Sequence, residues 1–126
     1  MSASLAVQAM LRAALVSVPG VSVFDAVPAG AAAPYLTIGP DSVTDWSHKT
    51  GRGYEHRVLI GVWDDLPGRS RLKTMLGLVE TAVLALSGNQ GGWRIAHVLF
   101  VRSFVESDPE GWGHGVADFR IRSEEI

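Results

Sequence analysis

The chain has 126 residues, a formal net charge of −2 and no cysteine. This length fits one domain, so we expect a single domain over residues 1–126. Its 47% apolar and 19% charged residues are typical of a globular protein, and the missing cysteines exclude disulfides and thiolate metal sites. A pI of about 6.0 argues against a nucleic-acid-binding domain. Arg12 interrupts the apolar N-terminus, which predicts neither a signal peptide nor a membrane span.

The N-terminal segment predicts a helix. Apolar side chains between residues 7 and 18 recur three or four positions apart, which gives one apolar stripe along a helix of 3.6 residues per turn. Ser2 or Ser4 can cap the helix start, because a serine hydroxyl accepts a hydrogen bond from a free backbone N–H of the first turn. Pro19 ends the helix, because the residue before a proline disfavours the helical conformation.

Strands and a hairpin follow this helix. Residues 21–27 are rich in β-branched side chains and predict a short strand, and residues 28–34 predict a loop of Ala, Gly and Pro. We expect the next strand to begin at residues 35–38 and to continue through residues 43–46. Another strand is expected at residues 54–63. The polar segment between these two strands predicts an antiparallel hairpin with a long, solvated tip.

The second half predicts one helix and one more hairpin. Apolar spacing at residues 72–86 is the most regular helical signal in the chain, and residues 88–89 close that helix. Residues 93–105 and 112–122 predict strands joined by a turn at residues 107–111. Apolar and charged side chains alternate in the last strand, so we expect one buried and one solvated face. The element order predicts an α+β fold, a mainly antiparallel sheet with two helices packed on one face.

No catalytic or metal-binding pattern stands out in the sequence. The four histidines are not spaced as ligands on one helix, and most carboxylates fall in turns or at strand ends. The two most glycine-rich segments do not stand between a strand and a helix, as a phosphate-binding loop does. We therefore predict no catalytic residue, no cofactor and no metal.

Trp46 is the most informative aromatic residue, because it lies among polar neighbours near the expected hairpin tip. Tryptophans outside apolar stripes often anchor protein interfaces, although packing against the same domain is the alternative. We expect the hairpin to contact another subunit or a partner protein. The candidate interface residues are Asp45, Trp46, Ser47, His48, Lys49, Arg52 and Tyr54.

Several short segments, spread in order along the chain, carry a family resemblance. They read Ala33-Pro34-Tyr35-Leu36-Thr37-Ile38-Gly39, Asp45-Trp46-Ser47, Lys49-Thr50-Gly51, Glu55-His56-Arg57, Val62-Trp63, Gly68-Arg69-Ser70-Arg71-Leu72-Lys73 and Gly115-Val116-Ala117-Asp118-Phe119-Arg120-Ile121. In this order and spacing they resemble the small tail completion, or tail terminator, proteins of long-tailed phages, which also occur in prophages and gene transfer agents. With the N-terminal helix and Val23-Phe24-Asp25, the resemblance covers nearly the whole chain.

The resemblance implies a structural role without enzymatic activity. Such proteins form a ring, typically a hexamer, at the head-proximal end of the tail tube. The ring ends tube growth and meets a head-side connector or stopper protein, and DNA passes through its lumen without sequence-specific binding. The implied partners are further copies of the chain, the tail tube protein and the connector protein, with no membrane. The implied location is the head–tail junction of a virion or virus-like particle, after synthesis in the bacterial cytoplasm.

Two alternatives remain open at this point. A neck or stopper ring of the head–tail connector keeps the same setting, and the sequence separates it poorly from a tail terminator. A dimeric α+β enzyme or small-ligand binder belongs to another class of protein. It requires polar side chains, for example His56, His97 and His114, to converge on one face of the sheet.

Overall fold

Two helices and a six-stranded sheet make up the fold in the computed structural model, which describes residues 1–126. The elements are α1 (Ala3–Leu15), β1 (Ser22–Phe24), β2 (Tyr35–Asp45), β3 (Gly53–Asp64), α2 (Ser70–Leu84), β4 (Asn89–Gln90), β5 (Trp93–Ser107) and β6 (Gly113–Glu125). The strand order is β1-β2-β3-β6-β5-β4, and only β1 and β2 run parallel. This confirms the predicted α+β fold and its mainly antiparallel sheet. Neither helix is long and apolar enough to cross a membrane.

Helix α1 begins where the sequence suggests and ends earlier than its apolar spacing suggests. The Ser2 hydroxyl accepts a hydrogen bond from the Leu5 N–H at 3.1 Å, so Ser2 is the cap and not Ser4. The helix ends at Leu15, and the N–H of Val18 donates to the Leu15 carbonyl at 3.0 Å in the following turn. Val18 is nevertheless buried. The apolar spacing therefore correctly indicates that Val18 is buried, but Val18 is not part of the helix.

One apolar core fills the space between the two helices and one face of the sheet. Alternate residues of β3 and β6 point toward the helices, because successive strand side chains face opposite sides. Each fully buried aliphatic side chain contributes about 1.5–3 kcal/mol relative to exposure. The main core residues are Val7, Leu11, Leu15, Leu36, Val58, Ile60, Val62, Leu72, Val79, Val83, Ala117, Phe119 and Ile121. Packing of both helices on this one face confirms the predicted layer arrangement.

The opposite side of the sheet, here called the outer face, carries no helix, but not all of its side chains are exposed to solvent. Asp118 lies on this face in β6, and only 5% of its surface is exposed. Its Oδ2 accepts a hydrogen bond from Arg57 at 2.9 Å and lies 3.8 Å from the Nε of Arg102. The expectation that the charged positions of the last strand are solvated is thus wrong at Asp118, because two arginine side chains cover the carboxylate.

The connection from β3 to α2 is held by a buried carboxylate. The Asp64 side chain is 2% exposed and accepts hydrogen bonds from Arg71, from Nε at 3.1 Å and also from Nη2. These bonds from Arg71 lower the pKa of Asp64, since they favour its charged form. Helix α2 has no side-chain hydrogen bond at its N-cap, Arg69. The Asp64–Arg71 pair therefore fixes the start of α2 in place of a cap.

Loss of this pair is expected to destabilise the domain. Arg71→Met leaves the buried Asp64 carboxylate without its charged donor, although the Leu66 N–H still donates to it, so the free energy of unfolding at pH 7 should fall by roughly 1–3 kcal/mol in urea titrations. The pKa of Asp64 is lowered on folding, so its stabilisation is present above pH 3.8 and is lost as the pH falls further. Lys73→Met, on the same helix without an ion pair, is the control and should change stability by less than about 0.5 kcal/mol. Equal effects of the two substitutions at pH 7 would contradict this role of Asp64.

Candidate assembly surfaces

The hairpin arm, defined here as residues 45–54, is more ordered than the sequence predicts. The Trp46 N–H donates to the Gly53 carbonyl at 2.8 Å, and the His48 N–H donates to the Gly51 carbonyl at 2.8 Å. The ladder between β2 and β3 therefore continues almost to the turn at Lys49. The expected long loop is reduced to a tight turn, although residues 47–52 are exposed as predicted.

Trp46 is held in one orientation and remains half-exposed. The guanidinium of Arg122 lies 4.9 Å from the centre of its ring, and the His48 ring meets it edge-on at 4.6 Å. A side chain at Gly53 would place its Cβ 3.0 Å from Trp46 Cε3 and 2.7 Å from the Trp46 carbonyl oxygen. Only glycine fits at position 53, so this residue allows the indole to pack at the base of the arm.

Side-chain hydrogen bonds fix the remaining residues of the arm. Ser47 Oγ donates to Asp45 Oδ1 at 2.7 Å and accepts the Gly53 N–H at 3.2 Å. Arg52 Nη2 donates to the Tyr54 hydroxyl at 2.8 Å. Arg52 also lies 3.6 Å from Glu125 in an ion pair. The seven candidate interface residues thus belong to one ordered hairpin, and Lys49 at its turn makes no ion pair.

An aromatic cluster occupies the opposite end of the outer face. Trp63 stacks on His114 with ring centres 3.6 Å apart and on Tyr35 at 6.3 Å. Trp112 meets Tyr35 edge-on at 6.1 Å. A Cβ at Gly61 would lie 2.3 Å from Thr37 Oγ1, so glycine is required beneath the cluster. Sequence reasoning missed this surface because its members come from three strands and a turn, and only the strand register brings them together.

The comparisons with known proteins agree with the resemblance found in the sequence. The family described as "Tail completion protein gp17" matches residues 2–124.

The chain belongs to this family of tail completion proteins.

The fold is also similar to a chain in the solved structure "Virion of native gene transfer agent (GTA) particle". That chain is 31% identical with a TM-score of 0.79, and the alignment covers 98% of the present chain and 95% of the other. No curated protein matches the sequence. Membership in this family makes the chain a structural protein of a phage-like tail.

The histidines of this tail completion protein do not form a shared site. His56 lies on the helix-covered side of β3, is 1% exposed and is hydrogen-bonded to Ser123 Oγ at 2.8 Å. His114 lies on the outer face against Trp63. His97 is exposed on β5. His56 and His114 are therefore on opposite faces, and no three His, Cys, Asp or Glu residues are placed to hold a metal. The three histidines given as the example for the enzyme or ligand-binder alternative therefore do not converge on one face of the sheet.

Burial of His56 predicts a loss of stability in mild acid. Burial lowers the pKa of His56 below 6.5, so the unfolded state takes up a proton first as the pH falls. Stability should therefore decrease as the pH falls below about 6.5, the unfolded value. The double variant His56→Leu/Ser123→Ala removes the titrating ring and its hydroxyl partner together. Its melting temperature should change less between pH 7.5 and 5 than that of the unmodified protein, and an unchanged difference would contradict the assignment.

Proposed function

We propose that this tail completion protein is one subunit of a homohexameric ring at the head-proximal end of a tail tube. In this proposal the ring ends tube growth and joins the tube to a head-side connector or stopper protein, and DNA passes through its lumen. The observation that carries the proposal is the family match over residues 2–124, together with 31% identity to a chain of a gene transfer agent virion. The role is structural and requires no enzymatic activity.

The hairpin arm supports a contact between subunits. A cyclic ring needs a heterologous interface, in which one patch of each copy meets a different patch of the next. Arg122 and Gly53 already hold the Trp46 ring in place, so binding would cost little additional side-chain entropy. A large, half-exposed aromatic ring with low entropy cost is typical of a residue that contributes strongly to an interface.

The charge distribution supports passage of DNA without tight binding. Free arginines bind phosphates and release counterions, which would hold DNA in a channel. The arginines of the outer face are instead partly neutralised, since five of them share three carboxylates of the same chain, and the whole chain has a net charge of −2. The pairs are Arg57 and Arg102 with Asp118, Arg120 and Arg122 with Glu55, and Arg94 with Glu124.

Truncation of Trp46 should weaken assembly of the ring and leave the subunit folded. Loss of a central interface tryptophan costs more than about 1 kcal/mol, so the association constant of each Trp46→Ala interface should fall at least about fivefold in light scattering. Trp112→Ala is the comparison variant, because Trp112 is also half-buried; it lies in the aromatic cluster at the other end of the outer face, so the two variants test the two surfaces separately. Circular dichroism checks the fold of both variants. Normal assembly of the Trp46 variant would show that the arm does not contribute to the interface between subunits.

The capping role is tested on tubes of the tail tube protein. Added ring should bind one end of each tube and stop its growth, so electron micrographs should show shorter tubes with extra density at a single end. Binding along the tube wall, or growth that continues unchanged, would contradict the proposed role. A protein that binds only the isolated connector, and never the tube, would favour a neck or stopper ring.

A further inference from the structure

Two strands of the sheet each keep a long unpaired edge. Strand β4 covers β5 only at Trp93 and Arg94, so residues 96–107 have no backbone partner on that side. Strand β1 covers β2 only at residues 35–37, so residues 38–45 are also unpaired on one side. These two stretches are called here the β5 edge and the β2 edge. The free N–H and C=O groups of such an edge are a template for pairing with another strand.

The β5 edge lacks several of the features that normally prevent association. Solvent-exposed edges are usually short, or carry charged residues (lysine above all), proline or bulges. The β5 edge is long, has neither lysine nor proline, and exposes Leu99, Val101 and Phe104, while Arg102 and Glu106 are its charged residues. Its two register shifts, at Ile95/His97 and Phe100/Arg102, are bulges of the kind that bend a strand. A bent, apolar edge fits a sheet that curves onward into a neighbouring molecule.

The two edges have the correct geometry for pairing between copies. Neighbouring strands alternate in direction from β2 through β3 and β6 to β5, so β2 and β5 run in opposite directions. A second copy in the same orientation therefore presents its β2 antiparallel to β5 of the first. The edges also lie at the same height in the sheet, since Asp41 and Phe100 share a row through Val58 and Phe119.

We propose that the β5 edge of each subunit pairs with the β2 edge of the next copy, which makes the sheet continuous around the ring. This inference rests on the ring of the proposed function and names its interface. The β2 edge carries Asp41 and Asp45 and no basic residue, whereas the β5 edge carries both Arg102, which lies near Asp118, and Glu106. Pairing of two β2 edges would bring four carboxylates together, and β2–β5 pairing avoids that repulsion. Contact between unlike edges is heterologous, as a closed ring requires.

Cysteine cross-linking tests this pairing without background, because the chain has no cysteine of its own. Ser42→Cys marks the β2 edge and Leu99→Cys marks the β5 edge, because these two exposed residues share a row of the sheet through Arg57 and Arg120. With a short bis-maleimide reagent, a mixture of the two single variants should give a covalent dimer that neither gives alone. The double variant should give a ladder of products that ends at six copies.

The outcomes of this experiment separate the pairing from the ring. A sixfold mass in light scattering without any cross-link would overturn the edge pairing and leave the ring intact. A covalent dimer of Leu99→Cys alone would show β5–β5 pairing and would also overturn the proposal. If the protein does not reach a sixfold mass, either alone or with the tube protein, both the proposed ring and this interface are contradicted.

A proline at the β5 edge provides a second test. The Ile95 N–H donates to the Gly88 carbonyl, away from β6. Ile95 pairs with Ser123, and Ser103 pairs with Ala117. In an antiparallel ladder, hydrogen-bonded and non-hydrogen-bonded pairs alternate along each strand. Ser123 and Ala117 are an even number of positions apart on β6, so both pairs are of the same kind and the Ser103 N–H also points to the free side. Ser103→Pro should therefore abolish the sixfold mass and retain the folded subunit, whereas Ser103→Ala should assemble normally. Normal assembly of a folded Ser103→Pro variant would contradict pairing at this edge.

Discussion

The pairing of β3 with β6 fixes the position of every other part of this fold. The two strands pair without interruption from Gly53 opposite Glu124 to Asp64 opposite Gly113. Because side chains alternate along each strand, this register gives one apolar face to the helices and leaves the charged and aromatic side chains on the outer face. The same pairing sets the base of the hairpin arm, since the Glu125 N–H donates to the Arg52 carbonyl at 2.9 Å. A register slip of one residue would exchange the two faces and remove all of these arrangements.

Local sequence patterns predicted most elements, because helical and strand periodicity reports burial directly. They failed where tertiary contacts decide. The apolar spacing extends past the end of α1 because Val18 is buried by a turn. Residues 88–89 resemble the end of a helix in sequence, whereas Asn89 belongs to β4, whose pairing needs the glycine turn that follows. The burial of Asp118 depends on Arg57 and Arg102, which are distant in sequence.

The candidate surfaces also differ in how far they can be predicted from the sequence. The hairpin arm could be found from the sequence, because Trp46 stands among polar residues within one continuous segment. The cluster of Tyr35, Trp63 and His114 could not, because it exists only when three strands are in register. The unpaired edges of β2 and β5 also cannot be predicted from local sequence, since the order of the strands in the sheet decides which edges lack a neighbour. Assembly surfaces are therefore the least predictable part of this protein, even though its family is readable from sequence.

The proposed assembly surfaces of this structural tail protein are ordered within the single subunit. The arm is hydrogen-bonded as far as its turn, and the core beneath the sheet fixes the edges of β2 and β5. Ordered surfaces of this kind lose little conformational entropy on association, so modest contacts would suffice for the proposed ring.

The mass of the purified protein in solution, alone and with its tail tube protein, shows whether the subunits form the proposed ring. Six copies of a 13.5 kDa chain weigh about 81 kDa. We predict this mass for the free protein, or the binding of six copies to the end of each tube. A stable dimer of about 27 kDa, two copies of the 13.5 kDa chain, that ignores the tube protein would contradict it.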